Sequence, residues 1–492
     1  MLATGRSTFV QEEGRALYRR ARALLRELGA EVRGPADLVE FAAQVPAGFT
    51  PGEGEVGILL CATFADASVA EAAFGRSSGP VVLWAVRDPA QIGERLHLNS
   101  LCGANLAAHA LVRRGVPVRL VYGNPEEGTV RDTVRRILAG SASGELAGIG
   151  KAPLDGPRPG SSPTSRPERR SEAARVALAS LSGRAIGVIG DPPTGFTTCE
   201  YDPVWLRDRL GLAVRPLDLE AAFERIRAVD QQERRREVAA AAAEAPSILA
   251  LAEDEVDRFG AATAALRTWV GEAPVDAVAL RCWPEFPVTF GLCPCSALGR
   301  LAEVGIPTAC EADVNGAATM LLLKALGAED VYLADVVRVD ESENLVTFWH
   351  CGLAPLGLAA DPAAARQDVH CNRGIGVAGN FALRPGRLTI VRLGWSGGRQ
   401  RLFVAGGEGL AGPNRYKGNS LDVRLDGDAM HTVRTFVESG FEHHVVLAWA
   451  DFRTALRDMA ALLDLEVVEP SRGYAPVDRD GQRRLAVGAS TG

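Results

Sequence analysis

No GxGxxG and no GxxxxGK[ST] opens any helix of this chain, so a dinucleotide or nucleoside-triphosphate site has no sequence support. No segment reaches 18 uninterrupted apolar residues, which removes the ordinary signature of a membrane-spanning helix. The start, MLATGRSTFVQEEGRALYRRARALL, lacks the apolar core and cleavage site of a secretory leader, and the expectation is a cytoplasmic protein. Positive charge is in deficit, with 54 Lys and Arg against 61 Asp and Glu, a net charge of -7. That balance offers no basic face for nucleic acid or an anionic membrane. A disulfide framework is missing too: the nine cysteines are odd in number and scattered over 492 residues, the pattern of reduced thiols. Cys293 and Cys295 in GLCPCSALG have neither CxxC spacing nor a second pair, and read as small buried thiols in a tight turn rather than zinc ligands.

What the chain does have is apolar content, 47% of residues, enough for sizeable cores in about three domains. In the first 140 residues continuous apolar runs, Val56 to Phe64, Pro80 to Val86 and Val116 to Gly123, alternate with helix-like stretches. Runs apolar on both faces with helices between them predict a parallel sheet covered on each side, a Rossmann-like or flavodoxin-like layer. LNSLCGAN, Leu98 to Asn105, sits at a strand edge where such sheets place ligands, and reads more simply as turn chemistry with a helix cap. His109, in an apolar helix pattern, reads as a packed core histidine.

Pro, Gly and Ser accumulate after Gly140, and residues 141–182 read as a flexible linker. A second α/β region, 183–328, opens with the strand at Arg184, carries a long helix from Phe223 to Glu244, and holds the strand VDAVALRCWPEFP. The end of that strand presents Arg281, Trp283 and Glu285, either the rim of a packed turn or a surface suited to a polyol. From 329 to 492 short strands separated by Gly, Pro and Asp turns predict a β-rich, antiparallel, barrel-like domain. Within it Gly376 to Gly394 reads as a β-hairpin turning at Pro385-Gly386, and His370 as structural. The fold class is thus two parallel-sheet α/β domains followed by a β-rich third.

Ionisable residues stand in apolar surroundings at four places in the second half: Glu311 in CEADVNGA, Asp335 in YLADVVRV, His350 in FWHCG and the pair His443-His444. A carboxylate flanked by IPTAC and AATMLLLKAL needs a compensating partner, and carboxylate oxygens with imidazole nitrogens suit Mn²⁺, Mg²⁺, Co²⁺ or Zn²⁺. Asp313, two residues past Glu311, reads as the cap of the following helix.

CEADVNGAATMLLLKAL, LADVVRVD, WHCG and the late HH together resemble the L-fucose isomerase and L-arabinose isomerase superfamily. The resemblance implies a metal-dependent aldose-ketose isomerase working through a cis-enediol. It places the metal, manganese first, on Glu311, Asp335 and His444, with His443 the less favoured of the pair. Glu311 and Asp335 would also exchange the proton, and His350, Arg281 and Trp283 would touch substrate. It further implies a homo-oligomer, a trimer or hexamer. Two other readings stand beside it. The first is the same scaffold acting on an acidic or sulfonated sugar, with Arg281, Arg373 and Arg384 as candidates for the anion. The second is a sugar-binding or regulatory protein without catalysis.

Overall fold

The computed structural model describes residues 1–52, 54–142, 167–396 and 399–470. The expected linker falls outside the described residues over 143–166. Its C-terminal part is corrected: Pro167–Leu181 is a helix, and Ala174, Ala177 and Leu181 are buried in the core. Apolar side chains at every third or fourth position give this stretch a face to bury, which composition alone obscured.

Two parallel four-stranded sheets come first. One runs in the order Leu2–Thr4, Gly57–Cys61, Val81–Ala85, Val118–Tyr122, and the other Ala213–Leu217, Ala185–Ile189, Ala277–Leu280, Thr308–Cys310. GILLC and VVLWA are buried at every position, as strands covered on both faces must be. The expected helix from Phe223 to Glu244 is two helices, Leu219–Ala228 and Gln231–Glu244. The break lies at Asp230, whose carboxylate accepts from the backbone N–H groups of Gln232 and Glu233 and starts the second helix.

The last sheet has nine strands, mostly antiparallel. Pairing of Arg399–Gly409 with Asn419–Leu425 closes six of the nine into a barrel, whose circuit includes Val331–Asp340, Leu345–His350 and His444–Ala448. The expected hairpin is not formed. Gly376–Ala382 pairs with Arg366–Val369 and Asn419–Leu425, whereas Gly386–Ser396 pairs with Arg399–Gly409 through eleven consecutive residues and with His444–Ala448. That long ladder outweighs any pairing a two-residue turn at Pro385-Gly386 could nucleate.

The helix Val314–Ala325 packs on strands of both the second sheet and the barrel, and its residues Val314 to Leu323 are all buried. A helix apolar all round belongs between two layers. One cluster of buried side chains runs from Leu59 in the first sheet through Val278 in the second to Val346 in the barrel, so the three sheets share a core. Among the described residues no helix is long and apolar enough to cross a membrane.

Candidate active site

The C-terminal ends of both parallel sheets and one wall of the barrel converge on a cleft of about 740 Å³, counted with its open mouth. Arg6 follows the first strand of the N-terminal sheet, Phe64 the second, and Asn99 starts the helix Ser100–Arg113. Trp283 and Glu311 follow the strands Ala277–Leu280 and Thr308–Cys310, while Asp335 and His350 come from the barrel. Crevices at strand C-termini are where open α/β sheets bind ligands.

Glu311 and Ala312 both adopt left-handed backbone, with φ of 59° and 57°. Two successive non-glycine residues in this region cost of order 1–3 kcal/mol each and persist only where the surroundings enforce them. Here the turn carries the Glu311 carboxylate into the cleft, where Trp283 Nε1 donates to Oε1 at 3.3 Å and His443 Nε2 donates to Oε2 at 2.9 Å. Asp335 and His444 are directly opposite in neighbouring antiparallel strands, so both point to one face of the barrel wall. His444 Nε2 lies 3.7 Å from Asp335 Oδ1 and 3.8 Å from Glu311 Oε2.

The two histidines are oriented differently. Thr198 Oγ1 donates to His443 Nδ1 at 2.8 Å, leaving Nε2 as the donor to Glu311. His444 donates from Nδ1 to Asp313 Oδ2 at 2.9 Å, which leaves the Nε2 lone pair facing both carboxylates. Asp313 is in turn held by the fully buried Arg392 in a bidentate pair at 2.6 and 3.0 Å, and its Oδ1 caps the helix through Gly316 N at 2.8 Å. An imidazole whose far nitrogen is pinned by a carboxylate is the usual support of a metal-binding histidine. Asp313 was legible as a cap; Arg392 was not singled out. Its signal is an arginine inside the apolar strand LTIVRLGW, which must find a buried anion.

The carboxyls differ in proton affinity. Burial raises Asp335 to about 6, only partly countered by His444 and His350. Burial acts the same way on Glu311, but the His443 hydrogen bond and the surrounding imidazoles outweigh it and hold the group below the usual range. Asp335 Oδ1 is buried with no hydrogen-bond partner in the protein, as is Asn99 Oδ1. A buried carboxylate oxygen without a donor, facing a second carboxylate and an imidazole lone pair, fits a divalent cation. Cys102 and Cys199 lie near these groups, but burial pushes both thiols well up, so they stay protonated.

His350 lines the cleft with its ring 5.4 Å from that of His444, and burial, which would lower it, is overcome by Cys351 and the carboxylates, raising it to about 9. His370, expected to be structural, also lines the cleft, and its Nδ1 accepts from Asn372 N at 3.2 Å. Cys295 and Cys351 stand 3.7 Å apart beside it, and this thiol and imidazole group could also hold a metal ion, which the spacing of Cys293 and Cys295 alone did not suggest. All nine cysteines are free. Arg281, expected at the substrate, is engaged elsewhere: Glu285 accepts from its Nε and Nη2 at 2.7 and 2.6 Å, and the residue does not line the cleft. Arg384 pairs with Asp330 and stacks on Trp449, also outside it. Arg373 does line the cleft, together with Arg6, which sequence reading missed because nothing local marks it. Asn99 does not cap its helix through its side chain but lines the cleft, and from Ser100 onward the stretch Leu98 to Asn105 is helix. His109 is buried, bonded to Thr197 Oγ1 and the Trp395 carbonyl.

No family model matches the chain. It is 34% identical over 412 residues to the sulfoquinovose isomerase of Alkalicoccus urumqiensis, a match covering 83% of this chain and 84% of that protein. It is 32% identical over 405 residues to that of Priestia megaterium and 30% over 407 residues to that of a Clostridium species, each match covering 82% of this chain and 83% of the relative.

Proposed function

Because the chain belongs to the sulfoquinovose isomerase family, and is an aldose-ketose sugar isomerase, we propose that its substrate is sulfoquinovose and that it needs a divalent metal, manganese first. The observation that carries the metal reading is the unpartnered Asp335 Oδ1, buried beside Glu311 and the free Nε2 of His444. Glu311, Asp335 and His444 would hold the divalent cation, whose positive charge would favour the anionic character that the open-chain sugar's oxygens acquire.

The residues themselves divide the proton work. Glu311, ionised and fixed by His443 and Trp283, takes the proton from C2 as the proton on O2 passes to O1, giving the cis-enediolate. Asp335, ionised where it would help hold the cation, relays that proton between the two oxygens, Glu311 returns its own proton to C1, and the ketose results. Each carboxyl ends as it began, and exchange of the Glu311 proton with solvent before its return places solvent hydrogen at C1. His350, on the same wall, donates to a sugar hydroxyl, and the Trp283 ring offers an apolar surface to the carbon chain.

The test is the purified, manganese-loaded protein with sulfoquinovose, glucose and L-fucose, read by NMR for the ketose. Conversion of L-fucose or glucose in preference to the sulfonated sugar would overturn the substrate assignment. Resemblance to the fucose and arabinose enzymes also favours a cytoplasmic homo-oligomer, trimer or hexamer; sedimentation of a fully active monomer would refute that part.

A further inference from the structure

The cleft holds two guanidinium groups on one aromatic ring. Arg6 Cζ lies 4.3 Å and Arg373 Cζ 5.6 Å from the centre of the Trp283 ring. Both line the same cleft as Glu311 and Asp335, and the Trp283 indole that they stack on donates its Nε1 to Glu311. Cations stacked on an aromatic face keep their N–H edges free for an in-plane anion.

Arg6 is held by one loose ion pair, and Arg373 by none among the described residues. Asp66 Oδ2 lies 3.8 Å from Arg6 Nη1, a loose ion pair beyond hydrogen-bond reach, and Arg6 Nη1 is buried without a hydrogen-bond partner. Asp66 itself is occupied by the backbone N–H of Ser68 at 3.0 Å. Among the described residues Arg373 makes no salt bridge, whereas Arg281 and Arg384 have carboxylate partners. Each arginine of the pair also repels the other, and burial together with that repulsion lowers the proton affinity of Arg6. Two cations against one indole, one loosely paired and one without a salt bridge, become a stable arrangement once an anion binds both.

We propose that Arg6 and Arg373, splayed on Trp283, form the clamp for the substrate's sulfonate and so set the chain's preference for an anionic sugar. This rests on the sulfonated-sugar reading above and fixes the direction in which the substrate lies. The sulfonate end sits over the Trp283 ring, and C1 and C2 reach past the indole N–H to Glu311 and Asp335. An open-chain hexose places its C6 substituent several ångströms from C1, and one indole ring is a spacer of that order. Asn372 also lines the cleft, with its Oδ1 accepting from Arg95 Nη1 at 3.3 Å, which leaves its amide N–H₂ free to add a neutral donor to the sulfonate.

The experiment compares wild type with Arg373→Met, Arg6→Met and Arg373→Lys, all manganese-loaded, on sulfoquinovose and on 6-deoxyglucose, which has the same skeleton without the sulfonate. The clamp predicts that the ratio of kcat/KM for the sulfonated over the neutral sugar falls by about 10²- to 10³-fold in either Met variant, mainly through KM. Arg373→Lys recovers part of that ratio, because it keeps the charge but loses the fork geometry. Equal losses on both sugars, or an unchanged ratio, would overturn the clamp. Binding of methanesulfonate alone, followed by tryptophan fluorescence, reads the clamp whether or not turnover occurs. Wild type binds it, and each Met variant binds it at least about tenfold more weakly; equal binding by all proteins refutes the clamp. A wild type that binds methanesulfonate but converts no sulfonated sugar refutes the substrate assignment alone.

Discussion

Asp313→Asn removes one charge and no atoms of bulk, and it tests how the site is supported. The carboxylate is fully buried and accepts four hydrogen bonds: two from Arg392, one from His444 Nδ1 and one from Gly316 N. Burial would raise this carboxyl, but Arg392 and His444 hold it far below the usual range, so it is ionised at every physiological pH. Without the charge, Arg392, itself fully buried, keeps only Glu442 at 3.3 Å and the Thr198 carbonyl at 3.4 Å. Leaving a buried charge with no partner costs about 3–5 kcal/mol, of which the remaining Glu442 carboxylate offsets part. The single amide oxygen cannot also serve Arg392, Gly316 and His444 together. If His444 loses its acceptor, its proton moves to Nε2 and the lone pair facing Glu311 and Asp335 is gone. Loss of such a supporting contact weakens metal binding by about 10- to 100-fold. The variant is therefore expected to melt several degrees lower without metal and to bind Mn²⁺ at least tenfold more weakly by calorimetry. A variant that melts and binds Mn²⁺ like wild type would refute the role given to Asp313.

Glu311→Gln keeps the Trp283 contact but removes the base, so kcat falls by about 10²- to 10⁴-fold while the fold survives, as circular dichroism would show. In deuterated solvent the wild-type ketose gains deuterium at C1; complete retention of the substrate's C2 hydrogen at C1 would instead establish a hydride shift. Chelation with EDTA abolishes turnover and lowers the melting temperature, and added Mn²⁺ restores both; turnover that survives exhaustive chelation refutes the metal requirement. His109 gives a pH dependence of stability. Burial lowers its pKa to about 3, so below about pH 6.5 the unfolded chain takes up a proton that the native state refuses. Stability is full above that pH and falls by up to about 1.4 kcal/mol per unit as pH drops toward 3, and His109→Gln makes the denaturant midpoint less steep over that window.

Much of the architecture was legible because it rests on local pattern. The buried runs around Leu59 and Leu83 can only be strands of a covered sheet, and the acidic turn at Glu311 stands out between apolar neighbours. Asp335 and His444 were visible for the same reason, a costly group inside an apolar strand. The rest depends on contacts between distant parts of the chain. Arg6 and Trp283 are 277 positions apart and meet only through the docking of two sheets. Arg281 looked available at its strand end until Glu285, four residues on, claimed it. The hairpin expected at Gly386 failed because a strand's best partner is set by the whole ladder and not by its nearest turn.

The pairing of Asp335 with His444 has a consequence for how this protein can change over time. The two residues face each other across one rung of the ladder, while 108 residues of chain separate them. Loops along that interval can lengthen or shorten freely, but a single-residue insertion inside either strand turns one of the two groups to the opposite face of the wall. The sequences open to a lineage of such enzymes are therefore restricted at these two strands in length as well as in composition. Comparing where relatives tolerate gaps would locate the reacting wall even in chains too diverged for their ionisable residues to be matched.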